Sequence, residues 1–115
     1  SVAAKIVMAQ QATANRQLGE AIDLYEAALQ TSPGRADIRV PLGDLYLNGE
    51  DFARAEELYR TEFQARPGFA LAAERWGESL LLLGRSAEAK VPLERAMELD
   101  PQSLTPLCRS KEPSD

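Results

Sequence analysis

The amino-acid sequence predicts an all-α fold, a solenoid of three tandem helical hairpins, from three observations. Pro33, Pro67 and Pro101 stand one 34-residue period apart. Aligned on these prolines, several columns keep their character in every copy: Ala21, Ala55 and Ala89 are small, Tyr25, Tyr59 and Leu93 are large, and Ala9, Gly43 and Gly77 are small again. Within each period, apolar residues recur at helical spacing in two runs separated by a turn signal.

The middle period shows the pattern best. Ile38, Leu42, Leu45 and Tyr46 form one helical stripe, Asn48-Gly49 supplies a C-terminal stop, and Phe52, Ala55, Leu58, Tyr59 and Phe63 form the second stripe. The third period repeats it with Trp76, Leu80 and Leu83, then Gly84 as the turn, then Ala89, Leu93, Ala96 and Met97. The first opens with an Ala- and Gln-rich run that favours helix by propensity and carries few large apolar residues. The expected helices lie near 2–15, 18–31, 36–48, 52–65, 70–83 and 86–99. Where the two helices of a hairpin cross, the small columns let the backbones approach. The period prolines stop each second helix. Pro41 falls near a helix start, where a missing N–H costs little, whereas Pro92 falls inside a helix and predicts a bend. The domain reading is three repeats over 1–103 (2–35, 36–69 and 70–103), followed by a tail, 104–115, that is partly disordered or a short incomplete cap.

Composition narrows the function. At 115 residues and 44% hydrophobic, the chain suffices for one domain without disulfide or metal. The single cysteine, Cys108, has no partner for an internal bridge; an unpaired thiol fits a reducing cytoplasm better than an oxidising space, with a periplasmic location as the alternative. A formal net charge of -5 and the absence of a basic stripe argue against nucleic acid. Apolar runs such as Leu80 to Leu83 are too short for a bilayer span, so no membrane insertion is expected. The start at Ser1 allows for a removed leader or anchor, or for a piece of a longer protein. The preference for arginine over lysine has a bacterial look.

With no histidine in the chain, imidazole general-base catalysis, histidine-containing triads and histidine zinc sites are excluded within it. Glu74 with Glu78 and Glu94 with Glu98 share helix faces at i, i+4, but without a third ligand they read as solvated glutamates. The glycines sit singly at hairpin turns and build no phosphate cradle. The expectation is a chain that is no enzyme, with no cofactor and no metal.

Taken together, the 34-residue period and its small, aromatic and proline columns resemble the tetratricopeptide repeats over residues 2–103. Leu42-Gly43 and Trp76-Gly77 match the signature pair of the first helix, Tyr46 the aromatic that follows, and Ala21, Ala28, Ala55, Ala89 and Ala96 the small positions of the second. Glu62 stands where the middle copy should have a small residue, and Lys5, Arg39 and Ala73 replace the signature tryptophan. The resemblance implies a right-handed superhelix whose concave groove, lined by the first helix of each repeat, holds another polypeptide. It assigns to that groove Ala3, Ile6, Gln10 and Thr13, then Asp37, Val40, Asp44, Leu47 and Asn48, then Leu71, Glu74, Glu78, Leu81 and Leu82. These residues are apolar and acidic, so a partner with apolar anchors and nearby lysine or arginine is expected. The basic clamp with which some members grip a terminal carboxylate would fall on Ile6, Gln10, Pro41, Leu71 and Arg75, and only Arg75 fits. The alternatives are a self-assembly segment, because the last hairpin lacks a full cap and a homo-oligomer would cover it, and the docking arm of a larger enzyme.

Overall fold

The computed structural model describes residues 1–103. Six α-helices follow one another: α1 (Val2–Ala14), α2 (Leu18–Thr31), α3 (Arg39–Asn48), α4 (Phe52–Ala65), α5 (Ala70–Leu82) and α6 (Ser86–Leu99), closed by a 3₁₀ turn at Pro101–Ser103. They pair as the hairpins α1/α2, α3/α4 and α5/α6 and stack into a rod of 50 × 25 × 24 Å, an α-solenoid. Among the described residues there is no strand. The tail 104–115, with Cys108, lies outside the described residues.

The turns inside the hairpins share one device. Gln17 N–H donates to Ala12 O, Asp51 N–H to Tyr46 O and Arg85 N–H to Leu80 O, which closes each first helix through the same six-residue loop. The residue just before each donor takes a left-handed conformation: Arg16 at φ 64°, Glu50 at 66° and Gly84 at 78°. Only the third position is glycine, the residue that tolerates this region without a Cβ penalty. Gly49 caps α3 with an ordinary φ of -86°, so the stop read at Asn48-Gly49 is present but the reversal falls one residue later.

Between hairpins, the period prolines act as expected. Ser32, Arg66 and Asp100, each just before a proline, cap their helices with φ of -136°, -135° and -156°, the extended region that pre-proline sterics enforce. One expectation needs amending. The helix expected from residue 36 begins at Arg39, because a start at 36 would set the Pro41 ring against the carbonyl of Asp37; from Arg39, Pro41 occupies the first turn, where its missing N–H has no intrahelical partner anyway. Helix α6 continues through Pro92, whose ring is buried in the column held by Leu24 and Leu58 in the other hairpins.

The core is built where the small columns meet the large ones. Ala9, Ala21, Tyr25, Ala28, Ile38 and Leu42 pack in one cluster, and Val40, Ala55, Tyr59 and Ala72 in the next. At the joint between the second and third hairpins the Phe63 and Trp76 rings lie 5.5 Å apart, and Trp76 Nε1 donates to Glu56 at 2.8 Å. The earlier joint reuses the device one helical turn later, with the Tyr46 hydroxyl donating to Glu26 at 2.5 Å and Arg54 pairing with the same carboxylate at 3.1 Å. Contact between α2 and α3 is nonetheless much thinner than between α4 and α5.

Glu62, out of place as a small-column residue, is fully buried, with Oε2 2.7 Å from Arg66 and Oε1 3.5 Å from Arg39. Arg66 also donates to the carbonyl of Gly34. In the third hairpin the columns of Arg39 and Glu62 hold Ala73 and Ala96, packed in one cluster. The middle hairpin has therefore replaced a small apolar pair with an ion pair, although Glu62 Oε1 receives no hydrogen bond among the described residues.

Two stability predictions follow from this packing. A Cβ on Gly43 would lie 2.6 Å from Cε1 of Tyr59, a ring tethered through its hydroxyl, and one on Gly77 would lie 2.4 Å from Cδ2 and 2.5 Å from Cγ of Leu93. Gly43→Ala and Gly77→Ala should each cost about 1–3 kcal/mol, measured by urea unfolding. Glu62→Ala should cost about 2–3 kcal/mol by stranding Arg39, while Arg39→Ala with Glu62→Ala should recover most of that loss in a double-mutant cycle. Additive losses would show that the ion pair contributes nothing.

Candidate functional site

The first helices of the hairpins, α1, α3 and α5, present the face that the sequence assigns to a partner. Of its residues, Leu71 and Leu82 are exposed, at 37% and 52%, and Gln10 and Asp37 also reach solvent. Asp44, Leu47, Glu78 and Leu81 are half-buried. Ile6 and Val40 are buried in the packing beneath the face, and Glu74 is only 5% exposed, which corrects its reading as a solvated glutamate.

Helix α3 brings Asp44 to the centre of this surface. Its Oδ1 accepts from the Tyr59 hydroxyl at 2.6 Å and from Arg75 Nε at 3.1 Å, joining both helices of the middle hairpin to α5. Arg75 also reaches Glu78 at 3.3 Å and Glu74 at 4.0 Å. Three carboxylates thus share one guanidinium. The sequence placed Arg75 between Glu74 and Glu78; its hydrogen bond to Asp44, 31 positions away, needed the stacking of two hairpins to appear. Asp37 is held apart from this network, clasped by Arg35 through two hydrogen bonds of 3.0 and 2.9 Å.

Electrostatics follow the geometry. Burial first, and then the hydrogen bond to Asp44, push the Tyr59 phenol far above its ordinary range, so it stays a donor. The Arg35 hydrogen bonds hold the Asp37 carboxyl below the usual carboxylate value. Glu74 moves the other way, raised by burial and then by the charge of Glu78, with Arg75 opposing and Asp100 adding to the rise.

A cleft of about 290 Å³ opens beside this network, at the thin joint between the first two hairpins. Leu18, Tyr25, Pro41, Asp44, Leu45 and Asn48 line it, and Arg16 stands there too. Sequence reasoning treated Tyr25 only as a large member of a packing column; the sign that the phenol has a polar role is that its column-mate Tyr59 uses its hydroxyl. Among the described residues, no group of three or more His, Cys, Asp or Glu is placed to hold a metal. No helix among them is long and apolar enough to cross a membrane.

A family model described as tetratricopeptide repeat matches residues 12–70. No curated protein matches the chain. Among solved structures, the first TPR of Spaghetti (RPAP3), bound to the HSP90 peptide SRMEEVD, is similar with a TM-score of 0.83 and 22% identity, over 89% of this chain and 81% of that one. The Arabidopsis OM64 TPR domain gives 0.82 and 20% over 90% and 85%. MamA gives 0.82 and 24%, over 89% of this chain and 60% of MamA. At these identities the likeness is one of fold.

The position of Glu74 predicts a pH effect. A carboxyl that holds its proton more tightly when folded makes stability fall as pH rises from the ordinary carboxylate value through the raised one. Glu74→Gln should therefore be more stable than the parent at pH 7, and the gain should vanish below about pH 4. Urea unfolding at the two pH values checks it, and a loss at pH 7 would mean that Arg75 outweighs burial.

Proposed function

The chain belongs to the tetratricopeptide repeat family, and on that premise we propose that it is a protein-interaction scaffold whose groove, formed by α1, α3 and α5, holds a peptide or helical segment of a partner polypeptide. The observation that carries this reading is the composition of the groove: exposed Leu71 and Leu82 flank a centre where, among the described residues, Asp44, Glu74 and Glu78 share the one cation Arg75. Apolar anchors and excess negative charge in one concave surface suit a segment with apolar side chains and nearby lysine or arginine. The contact surface comprises Gln10, Asp37, Asp44, Leu47, Leu71, Glu78, Leu81 and Leu82, with Ile6, Val40 and Glu74 supporting it from behind.

Peptide binding by the first TPR of Spaghetti supports a peptide as the class of occupant. That peptide, SRMEEVD, is acidic, which this groove disfavours, and the cation a terminal carboxylate would need, Arg75, is already engaged by Asp44 and Glu78. Members of this family generally act as interaction modules without catalysis.

One observation favours the alternative of stacking on a further hairpin, from a second copy or from more of the same protein. Met97 occupies the column of Leu29 and Phe63, and Met8 the column of Leu42 and Trp76, the columns that pack together at the joints; yet Met8 is 55% and Met97 38% exposed.

Selection from a displayed random-peptide library separates the two. The groove reading expects enrichment of peptides combining apolar residues with lysine or arginine, and at least a tenfold loss of their affinity in Leu71→Ser with Leu82→Ser. Enrichment of acidic peptides would overturn the basic-partner reading, and no enrichment together with a self-association abolished by Met8→Glu would replace it with the second.

A further inference from the structure

Tyr25 and Tyr59 occupy the same column of successive hairpins, and their hydroxyls meet different fates. Tyr59 donates to Asp44, whereas the Tyr25 hydroxyl makes no hydrogen bond among the described residues, although its residue is only 2% exposed. The hydroxyl is not among the fully buried unpaired side-chain atoms, so it keeps contact with solvent and is open to a donor or acceptor from outside the chain. Tyr25 lines the 290 Å³ cleft. The same cleft is lined by Asp44, which uses only Oδ1 for Tyr59 and Arg75 and leaves Oδ2 to accept, and by Asn48, whose side chain has no partner among the described residues.

We infer that this cleft is the subsite of the groove that receives one lysine side chain of the bound polypeptide, an inference that rests on the peptide-binding reading above. An ammonium brings three donors and no acceptor, and the cleft offers three acceptors in the Tyr25 hydroxyl, Asp44 Oδ2 and the Asn48 carbonyl. The aliphatic stem lies against Leu18 and Leu45, which supply the apolar wall such a side chain uses while its head is hydrogen-bonded. Arginine fits less well, because its planar fork is best met by both oxygens of one carboxylate and Asp44 has one already committed. The field has the right sign as well: burial is the main cause of the raised Tyr25 phenol, and the charges that add to it are those of Asp37 and Asp44. Arg16, at the same cleft, is not among the charges felt by the hydroxyl. The volume admits one long side chain and excludes a helix.

The test uses n-butylammonium chloride as a probe of the lysine head and stem, titrated into the isotope-labelled chain and followed by amide chemical shifts. Sodium butyrate and n-butanol serve as controls at matched ionic strength. Saturable shifts at Leu18, Tyr25 and Asn48 are expected with butylammonium only. Tyr25→Phe should weaken the probe at least threefold without lowering Tm, since the hydroxyl has no bond to lose, and Asp44→Asn should weaken it too. Butyrate or butanol saturating the cleft as tightly as butylammonium, or unchanged probe affinity in Tyr25→Phe, overturns the inference. The titration needs no peptide and so stands apart from the groove reading. Conversely, a library-selected peptide that loses affinity in the Leu71/Leu82 variant but keeps it when each of its lysines becomes norleucine leaves the groove reading intact and removes the lysine subsite.

Discussion

The stacking of this molecule depends on an absence at the crossing of its second and third hairpins. The first helix carries Gly43 or Gly77 where the second brings Tyr59 or Leu93, so a ring or a branched chain lies where a side chain would otherwise stand, and the first hairpin keeps the small Ala9 in the same column. Dense interiors leave no room for both. The close approach has a polar consequence: in the middle hairpin it carries a phenol across α3 until its hydroxyl meets Asp44 on the groove side. Steric economy in the core and the chemistry of the groove are therefore one feature seen from two sides.

That coupling explains why the fold was legible in the sequence and much of the site was not. The period, the small columns and the stops before Pro33, Pro67 and Pro101 are local properties repeated three times, so their signals reinforce one another. Helix ends accordingly fall close to expectation, except at α3, where one ring, that of Pro41, removes the first turn. The pairings of Asp44 with Arg75 and of Glu62 with Arg39 join residues on different helices, and helical spacing within one element carries no information about them. The resemblance assigned Val40 and Glu74 to one groove column without regard to depth; both are buried, while Leu71 and Leu82 are exposed.

The charge pattern illustrates the difference between composition and field. A list of groove residues holds four carboxylates and no cation, but Asp37 is neutralised locally by Arg35, and Arg75 reaches in from a position that the list omits. What remains is a smaller, more localised excess around one guanidinium. Such an arrangement discriminates by position more than by bulk attraction, because a partner's cation gains most where carboxylates outnumber their internal partner.

The late start of α3 has a consequence for mechanics. Loss of its first turn leaves α2 and α3 in thin contact, whereas α4 and α5 are broadly joined through Phe63 and Trp76. A rod of stacked hairpins is a chain of springs in series, and most of the strain in such a chain collects at the softest link. Here that link is the joint between the first hairpin and the other two, and the cleft lined by Tyr25 lies beside it. Any bending of the rod at that joint would change the width of the cleft, whereas Leu71 and Leu82, both on α5, would keep their spacing.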